Sequence, residues 1–123
     1  MKTLKLYATG SATGNAVAQV TIPSSGRIRG IQVAVSADSI TDNAQASIEV
    51  SRASATEIAV NGSQQCVCQV EARNNFVTSG LSPIGINTFY PVDVQVAQGQ
   101  IIYLHAVIVG TITYFATFLI QYE

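Results

Sequence analysis

Apolar and polar residues alternate with a period of two along most of this 123-residue chain, and helical spacing is nearly absent. A period of two sends successive side chains to opposite faces of an extended strand, so the pattern restricts the chain to β structure. Leu4, Leu6 and Ala8 share one face of a first strand. Ala16, Ala18, Val20 and Ile22 line a second, ended by Pro23-Ser24-Ser25-Gly26. Proline offers no N–H to a ladder and glycine takes turn conformations, so this is a firm stop. From Arg27 to about Ala37 the apolar phase passes from Ile28 to Ile31, Val33 and Val35, one residue out of step. A β-bulge at Gly30 repairs that slip, because a bulge inserts one residue and glycine accepts its geometry. Ala46, Ile48 and Val50 face inward, with Ser47, Glu49 and Ser51 outward.

A short strand at Ile58 and Val60 meets Asn61-Gly62, a hairpin signal. On the return strand Cys66, Cys68, Val70 and Ala72 face inward, with Gln69 and Glu71 outward. Val92, Val94 and Val96 precede a turn at Gln98-Gly99, and strands at about 100–109 and 112–122 follow. The expected fold is all-β: an antiparallel two-sheet sandwich, jelly-roll-like, with about eight or nine strands. The length suits a single domain over residues 1–123, with 1–15 a candidate amino-terminal arm.

Two segments depart from the in/out rule. Read as a closing hairpin, the last two strands are apolar on both faces. On 100–109, Ile102, Leu104, Ala106 and Ile108 oppose Ile101, Tyr103, His105, Val107 and Val109. On the final strand Tyr114, Ala116, Phe118, Ile120 and Tyr122 oppose Phe115 and Leu119. A strand apolar on both faces is buried on both, yet in a small sandwich only one face of each sheet meets the core. The second face needs cover, from another copy of the chain or from a long loop of the same chain. Charged residues make up 11% of the chain, against about a quarter in an ordinary soluble domain, which favours cover by partner subunits. Ile101, Tyr103, His105, Val107, Val109, Phe115 and Leu119 are the expected oligomer interface.

The second departure is 74–91, where Gly80, Pro83, Gly85 and Pro91 interrupt any period. Its Phe76, Leu81, Ile84, Phe89 and Tyr90 suit a partner-contacting loop, or a loop capping one end of the sandwich.

Chemistry-bearing motifs are scarce. His105 is the one histidine, at a strand centre where a nucleophile and an orienting acid are hard to place beside it. A hydrogen-bonded histidine at a subunit contact is the preferred reading. Cys66 and Cys68 on one strand face lie about 7 Å apart, too far for a relaxed disulfide and wrongly spaced for a C-x-x-C site. Asp38, Asp42 and Asn43 suit turn formation better than calcium ligation. Glu49 and Glu71 face outward on different strands, which is not a paired-carboxylate cleft. Gly10-Ser11-Ala12-Thr13-Gly14 precedes a strand and so is a hairpin loop, not a phosphate cradle. The expectation is a protein with no catalytic residues, no cofactor and no metal. The six basic residues are dispersed, including Arg27 and Arg29 at a turn, and net charge is −1. Nucleic-acid binders concentrate such charge. The start of the chain reads as neither a signal peptide nor a membrane span, so Asn61-Gly62-Ser63 reads as a turn and not a glycosylation site.

Two segments carry a resemblance to a known family. Val20-Thr21-Ile22-Pro23-Ser24-Ser25-Gly26-Arg27-Ile28 forms one turn motif. Val94-Gln95-Val96-Ala97-Gln98-Gly99-Gln100-Ile101-Ile102-Tyr103-Leu104, with Gly110-Thr111-Ile112-Thr113-Tyr114, forms another. Together they resemble the small jelly-roll capsid decoration, or cement, proteins of tailed bacteriophages. The resemblance implies a homotrimer or similar ring on the outer capsid surface, made in the host cytoplasm and bound to major capsid protein subunits. It implies no direct contact with nucleic acid or membrane. The alternative is a trimeric fibre-tip module that binds a receptor or glycan, for which Phe89-Tyr90 is the candidate platform.

Overall fold

The computed structural model describes residues 1–39, 44–52, 66–73 and 84–123. Among these lie eight strands and no helix: β1 (Lys2–Gly10), β2 (Gly14–Thr21), β3 (Gly26–Ser39), β4 (Gln45–Ser51), β5 (Cys66–Arg73), β6 (Ile84–Val96), β7 (Ile101–Val109) and β8 (Ile112–Tyr122). They form two four-stranded sheets, β1-β8-β3-β6 and β2-β7-β4-β5, with every pair antiparallel. Each step along the chain passes from one sheet to the other, except β4 to β5, which are neighbours. This is a jelly-roll sandwich, in agreement with the alternation.

The crossings correct the expected hairpins. Strands 101–109 and 112–122 are not a hairpin: β7 lies in the second sheet and β8 in the first. Gly110, at φ 77°, turns the chain between the sheets. The stops at 10–14, at Pro23–Gly26 and at Gln98-Gly99 are crossings as well. At the last of these, Gly99 at φ 84° donates its N–H to the Ile22 carbonyl at 2.8 Å, tying two crossings together. A short glycine-bearing connection serves a hairpin or an inter-sheet arch equally well, so turn chemistry alone does not distinguish them.

Alternation places the core as expected. Leu6, Ile28, Ile31, Val33, Ile48, Val50, Ile102, Leu104 and the Tyr114–Tyr122 face of β8 are buried between the sheets. Each large apolar side chain so buried contributes roughly 1.5–3 kcal/mol. The register of β3 slips between Ile28 and Gly30. Against β8 the extra residue is Arg29, one position before the glycine. Gly30 has a further role: the Phe89 ring of β6 lies where a Cβ would stand. Pro91, opposite Gly30, is tolerated because β6 is an edge strand.

Three further corrections concern phase or burial. The stretch read as a loop over 74–91 is strand from Ile84 onward, so Ile84, Phe89 and Tyr90 belong to β6. Gly85 and Pro91 masked a period in which Ile86, Tyr90, Val92 and Val94 pack on the core. Phe76, Leu81 and the Asn61-Gly62 turn, like Asp42 and Asn43, lie outside the described residues. On β2 a register irregularity between Gly14 and Ala18 turns Val17 toward the core and leaves Ala16 exposed. Ser47, Glu49 and Ser51 do lie on the face away from the core, as expected, but they are buried there.

Candidate functional site

The two sheets present outer faces of different character. On the first sheet, register aligns four rows across β1, β8, β3 and β6: Thr9–Phe115–Ser36–Gly85, Tyr7–Thr117–Ala34–Asn87, Lys5–Leu119–Gln32–Phe89 and Thr3–Gln121–Gly30–Pro91. These positions alternate with core residues and so point outward. Three aromatic rings stay open to water there: Tyr7 is 52% exposed, Phe89 46% and Phe115 42%. Leu119 is half-buried among them. Lys5 lies 5.8 Å from the Tyr7 ring centroid, a cation–π distance.

A groove of about 410 Å³ opens at the Phe115 end of this face, lined by Ala34, Ser36, Ile86, Asn87, Phe115 and Thr117. Among the described residues its lining holds one aromatic ring, three uncharged polar side chains and no ionisable group. Gln32 Nε2 donates to Asn87 Oδ1 at 2.8 Å, fixing the amide and leaving its Nδ2 hydrogens for another acceptor. Charges gather at the far end of the face, where Arg27 meets Asp93 at 2.6 Å and Arg29 meets Glu123 at 3.0 Å. The hydrogen bond from Arg27 holds the Asp93 carboxyl below its ordinary range.

The outer face of the second sheet is closed at its centre. Register sets Glu49 of β4 directly across from His105 of β7, and both are fully buried. Tyr103 stacks on His105 with centroids 6.1 Å apart. A register shift after Val50 sets Cys66 opposite Ser51, beside Glu49, while Cys68 joins the core. The two cysteines therefore do not share an environment, which corrects the expectation that both face inward on one strand face.

Among the described residues no nitrogen or oxygen donor reaches either Glu49 carboxylate oxygen. Loss of water pushes its carboxyl up to about 7, opposed by the hydrogen bond from Cys66. Burial first, and then the Glu49 charge, push the Cys66 thiol up to about 12. Burial raises Cys68 to about 11. A thiol so raised carries almost no thiolate at neutral pH and is a poor nucleophile. Among the described residues no three His, Cys, Asp or Glu side chains are grouped to hold a metal ion. Among the same residues no helix is long and apolar enough to cross a membrane.

The expected oligomer interface divides between these faces. Phe115 and Leu119 stand on the first sheet. Ile101, Tyr103, His105, Val107 and Val109 stand on the second, on the opposite side of the sandwich. His105, expected at a subunit contact, is buried within the single chain. Ile101, Tyr103 and Val107 are half-buried, and Val109 is 54% exposed. Sequence reasoning missed Tyr7, although Leu4, Leu6 and Ala8 facing inward already send it out. It also missed the Glu49–His105 pairing, which depends on register between distant strands.

No protein-family model and no curated protein matches the sequence. Solved structures similar to the chain include carbohydrate-binding modules and viral particles, among other kinds. One is the C-terminal CBM6 of LamC, a marine laminarinase from Zobellia galactanivorans: 13% identical, 98% of this chain and 100% of that one covered, TM-score 0.43. T=1 particles derived from infectious bursal virus are 12% identical over 98% of this chain and 31% of theirs, TM-score 0.40. Sacbrood virus of honeybee is 12% identical over 100% of this chain and 69% of its own, TM-score 0.40. At these identities and scores the likeness bears on neither ligand nor partner.

Proposed function

We propose that the protein is a structural virion component, a homo-oligomer that decorates and stabilises a bacteriophage capsid by surface contact, without catalysis. The observation that carries this reading is the outward stripe of β7. Ile101, Tyr103 and Val107 remain partly exposed, and the row ends in exposed Val109. Aliphatic side chains on a rigid strand suit a flat, dry protein contact. The burial of His105 at the middle of that stripe restricts the contact to its two ends. A trimer seated on several shell subunits turns its second and third contacts into intramolecular ones, so weak single contacts add to firm attachment. The high thiol pKa of Cys66 and the enclosure of Glu49 and His105 support a non-enzymatic role.

Solution mass by light scattering, followed by sedimentation with capsids stripped of decoration and with host cells, tests the proposal. An oligomer that pellets with capsids is expected. Val107→Glu, which sets a charge into the stripe, should reduce the mass to that of the 13.0 kDa monomer while the protein stays folded. A wild-type monomer, or retention on cells alone, would overturn the decoration role.

A further inference from the structure

We infer that the groove beside Phe115 on the outer face of β1-β8-β3-β6 binds a neutral saccharide. The inference is independent of the β7 contact, which lies on the other side of the sandwich. A pyranose ring carries an apolar C–H face and a rim of hydroxyls, and the groove offers a partner for each. Phe115, 42% exposed on a central strand, supplies a rigid ring for the apolar face. Ser36 and Thr117 stand in the neighbouring register positions, Ser36 across from Phe115 and Thr117 two residues along β8. Their hydroxyls both donate and accept, as sugar hydroxyls do.

Asn87 completes the set. Its Oδ1 is held by Gln32, so its Nδ2 donors are oriented before any ligand arrives. Preorganisation of this kind lowers the ordering cost of binding. Ala34, between Ser36 and Gln32 on β3, keeps the floor low enough to admit a ring. Charge decides the ligand class. With no cationic side chain in the lining among the described residues, a phosphate or an acidic sugar finds no counter-ion there, whereas an uncharged polyol needs none. The nearest cation on the face, Lys5, lies in another row and is engaged with Tyr7.

Titration of the ¹⁵N-labelled full chain with neutral tetrasaccharides of gluco, galacto and manno configuration, and with an acidic sialylated control, tests the assignment. At least one neutral probe should bind with a dissociation constant on the order of 1 mM, and the acidic control should not. Its shift changes should centre on Ser36, Asn87, Phe115 and Thr117. Phe115→Ala should weaken binding at least about tenfold and Asn87→Ala about fivefold, with Phe115→Trp retaining it. Both truncations leave a surface position and an unchanged solution mass. Absence of binding by every neutral probe, shifts centred on β7, undiminished binding by Phe115→Ala, or loss of the oligomer in that variant would each overturn the saccharide site. None of the first three touches the capsid assay, so the two proposals fail separately.

Discussion

The outer faces of the two sheets obey the same alternation yet meet opposite fates. One shows three aromatic rings to water, in a lattice of Ser, Thr, Asn and Gln side chains. The other encloses Ser47, Glu49, Ser51 and His105. Hydropathy alone would assign both the wrong way round: the polar outward residues of β4 are buried, and the aromatic rings of the first sheet are exposed. Whether a strand's second face is wet depends on what lies over it, and no residue of the strand itself carries that information. The consequence is functional. The covered face holds a carboxyl that burial pushes up to about 7, and the open face carries the groove proposed to bind saccharide.

The contrast can be broken most severely at the layer between the faces. Phe118→Ala empties a buried site beneath both, and chemical denaturation should show a loss of about 3–5 kcal/mol. Less severe is Gly30→Val, which drives a side chain into the Phe89 ring. A cost of about 1–3 kcal/mol is expected, with shift changes confined to the open face. Equal perturbation of both faces would show that they are not mechanically separate.

The covered face is sharpened by pH. Glu49 has a folded-state pKa near 7 against an ordinary value of 4.5, so folding favours its protonated form. Its contribution is fully present below pH 4.5, falls as pH rises, and is lost above about 7. The melting temperature should therefore drop by a few degrees between pH 4.5 and 8, and Glu49→Gln should flatten that slope. An unchanged slope in the variant would assign the dependence elsewhere. The smallest effect is expected at the exposed ion cluster. Asp93→Asn should change stability by no more than about 0.5 kcal/mol, since screened surface pairs contribute little.

Much of the fold was legible because period two is a local property. The strand faces through Leu6, Ile31–Val35, Ile48–Val50 and Ile102–Ala106 follow from neighbours two residues away. So does the slip near Gly30, where Ile28 and Ile31 disagree in phase. The strand at Ile84–Val96 was hidden by Gly85 and Pro91, residues that usually end strands but are accepted at a sheet edge. The groove was hidden for a different reason: Ser36, Asn87 and Phe115 come from three strands and meet only through register.

By itself, then, the sequence determined the β class, the core face of most strands and the positions where the chain must turn. Tertiary structure alone decided that β7 and β8 part into different sheets, that Glu49 faces His105, and which outer face stays open. Side-chain alternation is written between adjacent residues, whereas pairing and cover arise between segments dozens of residues apart. Short glycine turns are compatible with more than one such arrangement, and only the packed whole selects among them.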